Sequence, residues 1–123
     1  MTKADETRRV VEGFFAAWTS RDERAARGFM ADDMKYVGPL NSYETADALL
    51  GPLMKFAAGV KGARMIEIVV EGDRAALLYD CDLPSPVGTL RAATFQRVEG
   101  GKITSYLQAF DATELRKLQP RKT

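Results

Sequence analysis

The stretch Leu77–Phe110, LLYDCDLPSPVGTLRAATFQRVEGGKITSYLQAF, decides the fold. It reads as three alternating segments, the first two parted by Pro84-Ser85-Pro86-Val87 and the last two by Gly100-Gly101. Two-residue alternation marks strands, and a Gly-Gly pair between such runs marks a tight hairpin. Side chains on a strand point alternately to opposite faces, so Leu78, Asp80 and Asp82 share one face. A hairpin that pairs Asp82 with Thr89 sets Asp80 opposite Arg91 and Leu78 opposite Ala93. Carried through the Gly-Gly turn, the register sets Phe95 opposite Tyr106, Ala93 opposite Gln108 and Arg91 opposite Phe110. One face then gathers Asp80, Asp82, Arg91, Tyr106 and Gln108 among apolar residues and reads as the wall of a polar-floored pocket. The opposite face carries Leu77, Tyr79, Cys81, Leu83, Leu90, Ala92, Thr94, Leu107 and Ala109. A lone domain rarely leaves so apolar a sheet face in water, so a second copy of the chain is expected to cover it as a homodimer.

Upstream, Val10/Val11, Phe14/Phe15 and Trp18 recur at helical spacing from about Ala4 to Ser20. Ser20-Arg21-Asp22-Glu23 has capping-box spacing and starts a short second helix ending near Met30. Ala31-Asp32-Asp33 reads as a turn, Met34 to Gly38 as a short strand stopped by Pro39. Thr45 caps a third helix through Ala57, which Gly51-Pro52 should kink or break. Strands follow at about 63–71, 74–83, 88–98 and 102–110, and Asp111-Ala112-Thr113-Glu114 caps a last helical turn. Helices first and a sheet afterwards make an α+β class, with the N-terminal helices packed on a curved antiparallel or mixed sheet.

The chain of 123 residues is one domain, residues 1–123, able to bury roughly two-thirds of its unfolded surface. A net charge of +1 gives no pull toward nucleic acid or anionic membrane. The basic end, Arg116, Lys117, Arg121 and Lys122, reads as a solvated terminus. No apolar run approaches a membrane span or a secretion signal, so the cytoplasm is the expected location. The single cysteine, Cys81, allows no intrachain disulfide, and the absence of histidine removes the commonest proton shuttle and metal ligand. No phosphate-cradling glycine motif is present. No cofactor and no metal are expected, and acid–base chemistry falls to carboxylates, Tyr, Lys or Cys81.

The segments FMADDMKYVGP (Phe29–Pro39), DLPSPVGTLRAATFQRVEGGKI (Asp82–Ile103) and QAFDATEL (Gln108–Leu115), in this element order, resemble the nuclear transport factor 2-like superfamily. The likeness is to its SnoaL-like group of polyketide cyclases, ketosteroid isomerases and limonene-type epoxide hydrolases. That resemblance implies a cone-shaped roll around an apolar pocket. Against the isomerases, Gly38 stands at the general-base position, Phe14 at the oxyanion tyrosine and Ala93 at the oxyanion acid, so that reaction lacks its groups. Against the epoxide hydrolases, Asp82 matches the acid, Asp80 stands at the arginine, and Gln108 stands at the water-activating Asp. Tyr36 matches the water-holding tyrosine, while Gly38 replaces its Asn partner.

Two readings follow. In the first, the chain is an enzyme with cofactor-free acid–base chemistry on a small hydrophobic metabolite, as cyclase, isomerase or hydrolase. Asp82 is its proton donor or acceptor, Arg91 with Asp80 the electrostatic partner, and Tyr36, Tyr106, Gln108, Trp18, Phe14 and Phe95 line the substrate site. In the second, it is a non-catalytic ligand-binding or dimerisation module of the same fold. Asp80 with Arg91 is equally a plain cross-strand ion pair, and Asp82 equally a residue at a wet rim.

Overall fold

Helix α1 (Lys3–Thr19) opens on a reciprocal cap: Thr2 Oγ1 accepts from the Asp5 N–H and the Asp5 carboxylate accepts from the Thr2 N–H. These details come from a computed structural model that describes residues 1–118; Arg121 and Lys122 of the expected basic end lie outside the described residues. Helix α2 (Glu23–Gly28) is capped by Asp22, whose Oδ1 accepts from the Ala25 N–H at 3.0 Å. Ser20 does not take that role. Its hydroxyl donates back to the Ala17 carbonyl and closes α1, while Arg21 turns the chain with φ 65°.

The Ala31-Asp32-Asp33 segment is strand, not turn: β1 runs Met30–Val37 and carries an irregularity between Met30 and Lys35. Arg27 ties this segment down, reaching Asp32 at 2.7 Å, Asp47 at 2.9 Å and the Met30 carbonyl at 3.0 Å. A short β2 (Ser42–Tyr43), unannounced by any sequence pattern, pairs with β1. Helix α3 (Ala46–Ala58), capped by Thr45 Oγ1, continues through Pro52 without a break. Then come β3 (Gly62–Glu71), β4 (Arg74–Asp82), β5 (Thr89–Glu99), β6 (Lys102–Phe110) and α4 (Thr113–Lys117). The strands form one curved, unclosed sheet in the order β2-β1-β6-β5-β4-β3, with β1 parallel to β6 and the other pairs antiparallel. The α+β architecture is therefore the expected one. Among the described residues no helix is long and apolar enough to cross a membrane.

The β4–β5 register is the expected one: Asp82 pairs with Thr89, Asp80 with Arg91 and Leu78 with Ala93. The β5–β6 register is not. Next to the Gly100-Gly101 turn Glu99 pairs with Lys102 and Val98 with Ile103, but Arg97 then pairs with Ser105. Thr104 is an extra residue, a β-bulge, and a one-residue slip moves every later side chain to the other face. Tyr106 consequently pairs with Gln96, Gln108 with Thr94 and Phe110 with Ala92.

This bulge reverses the expected assignment of the sheet's two faces. Tyr106, Gln108 and Phe110 lie on the face of Leu77, Tyr79, Cys81, Leu90, Ala92 and Thr94, and the helices cover it. Phe15 and Trp18 pack their rings 5.3 and 5.8 Å from Tyr79, and Phe14 packs 5.9 Å from Tyr106. Leu77, Tyr79, Leu90 and Ala92 are thus buried by the chain's own helices and cannot form an intersubunit seam. Asp80, Asp82, Arg91, Phe95 and Leu107 face the other way, outward.

Candidate functional site

Between the inner sheet face and the helices lies a cavity of about 150 Å³. Helix α1 supplies Phe14 and Trp18, β1 supplies Tyr36, α3 supplies Leu49, Leu53 and Phe56, β4 supplies Tyr79, and β6 supplies Tyr106, Gln108 and Phe110. Pro52 of α3, Leu90 of β5, Tyr43 of β2, Leu115 of α4 and the connecting residues Leu40 and Asn41 complete the wall. Half of the lining residues are aromatic. Tyr36 stacks on Tyr106 with centroids 5.5 Å apart, and Tyr43 leans on Tyr36 at 5.7 Å.

The polar groups of this wall form a chain. Tyr36 donates its hydroxyl hydrogen to Gln108 Oε1 at 2.6 Å, and Gln108 Nε2 donates to the Tyr79 hydroxyl. Gly38 makes room for it, since a Cβ there would stand 2.5 Å from the Tyr36 hydroxyl and 2.9 Å from the ring carbon that bears it. Burial pushes the Tyr36 phenol up to about 12, and burial raises Tyr79 and Tyr106 as well. All three stay protonated and act as neutral hydrogen-bond groups. Among the described residues no Asp, Glu, Lys or Arg lines it. Cys81, on the same strand face as Tyr79, is fully buried, and burial pushes its thiol up to about 12, with Asp82 and Asp80 adding to the effect. It is a packed thiol, not a nucleophile.

Of the residues expected to form a site, Phe14, Trp18, Tyr36, Tyr106 and Gln108 come together in the cavity. Phe95 does not; it is 59% exposed on the outer face. Asp80, Asp82 and Arg91 do meet one another's strands, but on that same outer face, so the expected catalytic group and the expected binding group lie on opposite sides of the sheet. Arg91 clasps Asp80 through Nε at 2.8 Å and Nη2 at 3.0 Å. Asp82, which has no partner in the sequence pattern, is held by Arg64 at 2.7 and 3.1 Å and by the Thr89 hydroxyl at 3.0 Å. Hydrogen bonds from Arg91 hold the Asp80 carboxyl below the ordinary range, and those from Arg64 and then Thr89 do the same for Asp82. Asp80 is little exposed because guanidinium groups roof it, not because it enters the core. Neither carboxylate holds a proton to donate near neutral pH, and neither reaches the cavity.

Sequence reasoning missed Tyr79, Arg64 and the α3 wall. Tyr79 had a usable signal: Leu77, Tyr79 and Cys81 are the more apolar face of β4, and a sheet buries its more apolar face under its own helices first. Arg64 had none, because it meets Asp82 only through the β3–β4 pairing and a register shift in that hairpin, between Met65 and Glu67.

The fold and the cavity together define a class: an α+β cone whose helices and bent sheet enclose an apolar, uncharged chamber. Residues 11–106 match the SnoaL-like domain, and the chain belongs to that family. Among solved structures, a protein from Kribbella flavida DSM 17836 is 26% identical, with a TM-score of 0.83 over 88% of each chain. An NTF2-like protein of unknown function from Cytophaga hutchinsonii ATCC 33406 is 24% identical, with a TM-score of 0.75 over 89% of this chain and 94% of that one. An M. tuberculosis LEH-like epoxide hydrolase is 19% identical, with a TM-score of 0.76 over 93% of this chain and 89% of that one. At these identities the last two show a shared fold alone. No curated protein matches the sequence.

Proposed function

We propose that this protein is a binding module for a small uncharged ligand held in the cone, and that carboxylate acid–base chemistry is not run there. The composition of the cavity wall carries this reading: among the described residues its polarity comes from tyrosine hydroxyls and the amides of Gln108 and Asn41, with no ionisable carboxylate or amine. A cyclase, isomerase or epoxide hydrolase of this kind needs a group that gives or takes a proton near the working pH. The phenols are protonated far beyond neutrality. The carboxylates that could serve are ionised, clasped by arginines, and on the far side of the sheet. Native mass spectrometry of the purified protein should find a retained small molecule. Its affinity should be flat from about pH 5 to 9, where a histidine- or carboxylate-driven site titrates. Turnover or binding that follows a titration in that window would overturn this reading.

The same proposal includes a second copy of the chain as partner, through a different set of residues from those first expected. Across the outer face, register pairs place Val69, Ala76, Phe95, Leu107 and Val37 side by side in one row spanning β3-β4-β5-β6-β1. Phe95 and Val69 are each 59% exposed. Charges flank the row on both sides and most are paired: Asp80 and Asp82 with Arg91 and Arg64, Glu71 and Asp73 with Arg74 and Arg97, while Glu67 beside Leu78 has no ion-pair partner among the described residues. The row itself is uncharged and most of its flanking charges are already paired, which favours self-association over a charged partner. Light scattering at micromolar concentration should give twice the chain mass; a concentration-independent monomer would remove this part of the proposal.

A further inference from the structure

Resting on the binding reading above, we propose a ligand class for the cavity: a single-ring, uncharged molecule with one acceptor oxygen, such as an aryl or alicyclic ketone. Size comes first. The cavity of about 150 Å³ matches the size at which an apolar cavity engineered into a protein takes up benzene. A fused four-ring skeleton is larger than that volume. Shape comes second. Tyr36 and Tyr106 stack on each other, and together with Phe14, Trp18, Phe56 and Phe110 they surround the chamber with aromatic rings. Planar rings gain from such offset and edge-on contacts beyond simple burial.

Polarity fixes the third feature. Tyr36 spends its hydroxyl hydrogen on Gln108 Oε1, and Gln108 spends one amide hydrogen on Tyr79. The second amide hydrogen of Gln108 finds no acceptor among the described residues. Gln108 lines the chamber, so a ligand oxygen inside it can accept this hydrogen. A carboxylate ligand would enter without a cation to meet it, and an amine without a carboxylate, since neither lines the wall. The oxygen of the ligand therefore sits at Gln108, within the Tyr36–Gln108–Tyr79 chain, and its ring lies among the aromatic residues of the wall.

The test is isothermal titration of the full chain with acetophenone, ethylbenzene, benzoate and a four-ring ketone. Acetophenone should bind, ethylbenzene should bind about tenfold more weakly for want of one hydrogen bond, and the other two should give no heat. Gln108→Leu, which keeps the volume and removes the donor, should bring acetophenone and ethylbenzene to equal affinity. Tyr36→Phe, which loosens Gln108 without touching the ligand oxygen, should narrow the ratio and serves if Gln108→Leu does not fold. Equal binding of the two compounds by the wild type, or a ratio unchanged in both variants, overturns the proposal. Silence to all four compounds also overturns it. Binding of the four-ring ketone alone rejects this ligand class and leaves the binding reading standing. Acetophenone binding that survives Leu53→Trp, which fills the chamber, places the ligand elsewhere and overturns both.

Discussion

The two faces of the one sheet are built on opposite principles. The inner face carries Tyr79, Tyr106 and Gln108 among Leu77, Leu90 and Ala92, and no formal charge. The outer face carries Asp80, Asp82, Arg64 and Arg91, paired two by two beside an apolar row. On β4, Tyr79 and Asp80 are adjacent in sequence and differ in everything that matters for chemistry. Desolvation sorts them. A buried phenol keeps its proton and needs only a neutral partner, whereas a carboxylate must stay where arginines and water hold its charge. A polar pattern on a strand therefore marks the solvent face more readily than a site, and the proposed binding surface is the one whose polar groups are uncharged.

The strongest way to break this contrast is to move a carboxylate from one face to the other. Tyr79→Glu places a charge where the native ring is 3% exposed and no cation lines the wall. It should cost roughly 4 kcal/mol or more and unfold much of the population. Phe95→Glu makes the same kind of change at a residue 59% exposed, and should leave the urea midpoint of the monomer nearly unmoved while weakening self-association. Comparable losses of stability in the two variants would mean that the faces are not distinct in this way.

Most of the fold was legible. Thr45 before α3, the Gly100-Gly101 turn and the Asp80–Arg91 pairing all follow from local signals that the structure keeps. The cavity was half legible: Phe14, Trp18, Tyr36, Tyr106 and Gln108 line it, whereas Phe95, Asp80, Asp82 and Arg91, expected beside them, face outward. The cause is a single residue. Thr104 bulges out of the β5–β6 ladder, and strand alternation carried across it inverts Tyr106 and Gln108 relative to β4. Nothing in Ile103-Thr104-Ser105 distinguishes a bulge from a paired residue, because the bulge is settled by tertiary packing: Ile103 and Tyr106 both face the core. Pro52 shows the same limit from the other side, since tertiary contacts carry α3 through a residue whose local chemistry opposes a helix.

A smaller perturbation tests whether the inner face is tuned for a ligand. Gly38 does not need glycine's backbone freedom, for its φ is not positive; it needs the missing Cβ. Gly38→Ala drives a methyl to within 2.5 Å of the Tyr36 hydroxyl, and the ring cannot give way easily between Tyr106 and Tyr43. The variant should lose roughly 1–3 kcal/mol to overpacking and weaken ligand binding through the displaced Tyr36–Gln108 bond. Urea denaturation and titration with the ligand read the two effects separately. Unchanged binding in a folded Gly38→Ala protein would remove Tyr36 from the site. The same crowding means that Gly38→Asp cannot simply restore the carboxylate that the resemblance to isomerases implies at this position.

The subtlest expectation is that the two faces fail at opposite ends of the pH scale. Asp80 and Asp82 have folded values below the ordinary 3.8 because arginines favour their charged forms. The unfolded chain then binds more protons than the folded one as pH falls, so their contribution is complete above about pH 3.8 and is lost below it. The inner groups run the other way. Tyr36 moves from 10.0 to about 12 and Cys81 from 9.0 to about 12, both chiefly through burial. Unfolding releases their protons at high pH, so their share of stability is intact below pH 9 and is lost as pH climbs toward 12. Melting temperature against pH should therefore fall on an acid limb that the outer face shares with Asp5, Asp32 and Asp111, whose carboxyls are also held below the ordinary range, and on an alkaline limb set by the inner face. Asp82→Asn should flatten the acid limb alone, and Tyr36→Phe the alkaline limb alone, even though it also lowers the whole curve by freeing Gln108 Oε1. Should Asp82→Asn instead reshape the alkaline limb, Asp82 would be coupled to the cavity after all, and the separation of the two faces on which the binding reading depends would fail.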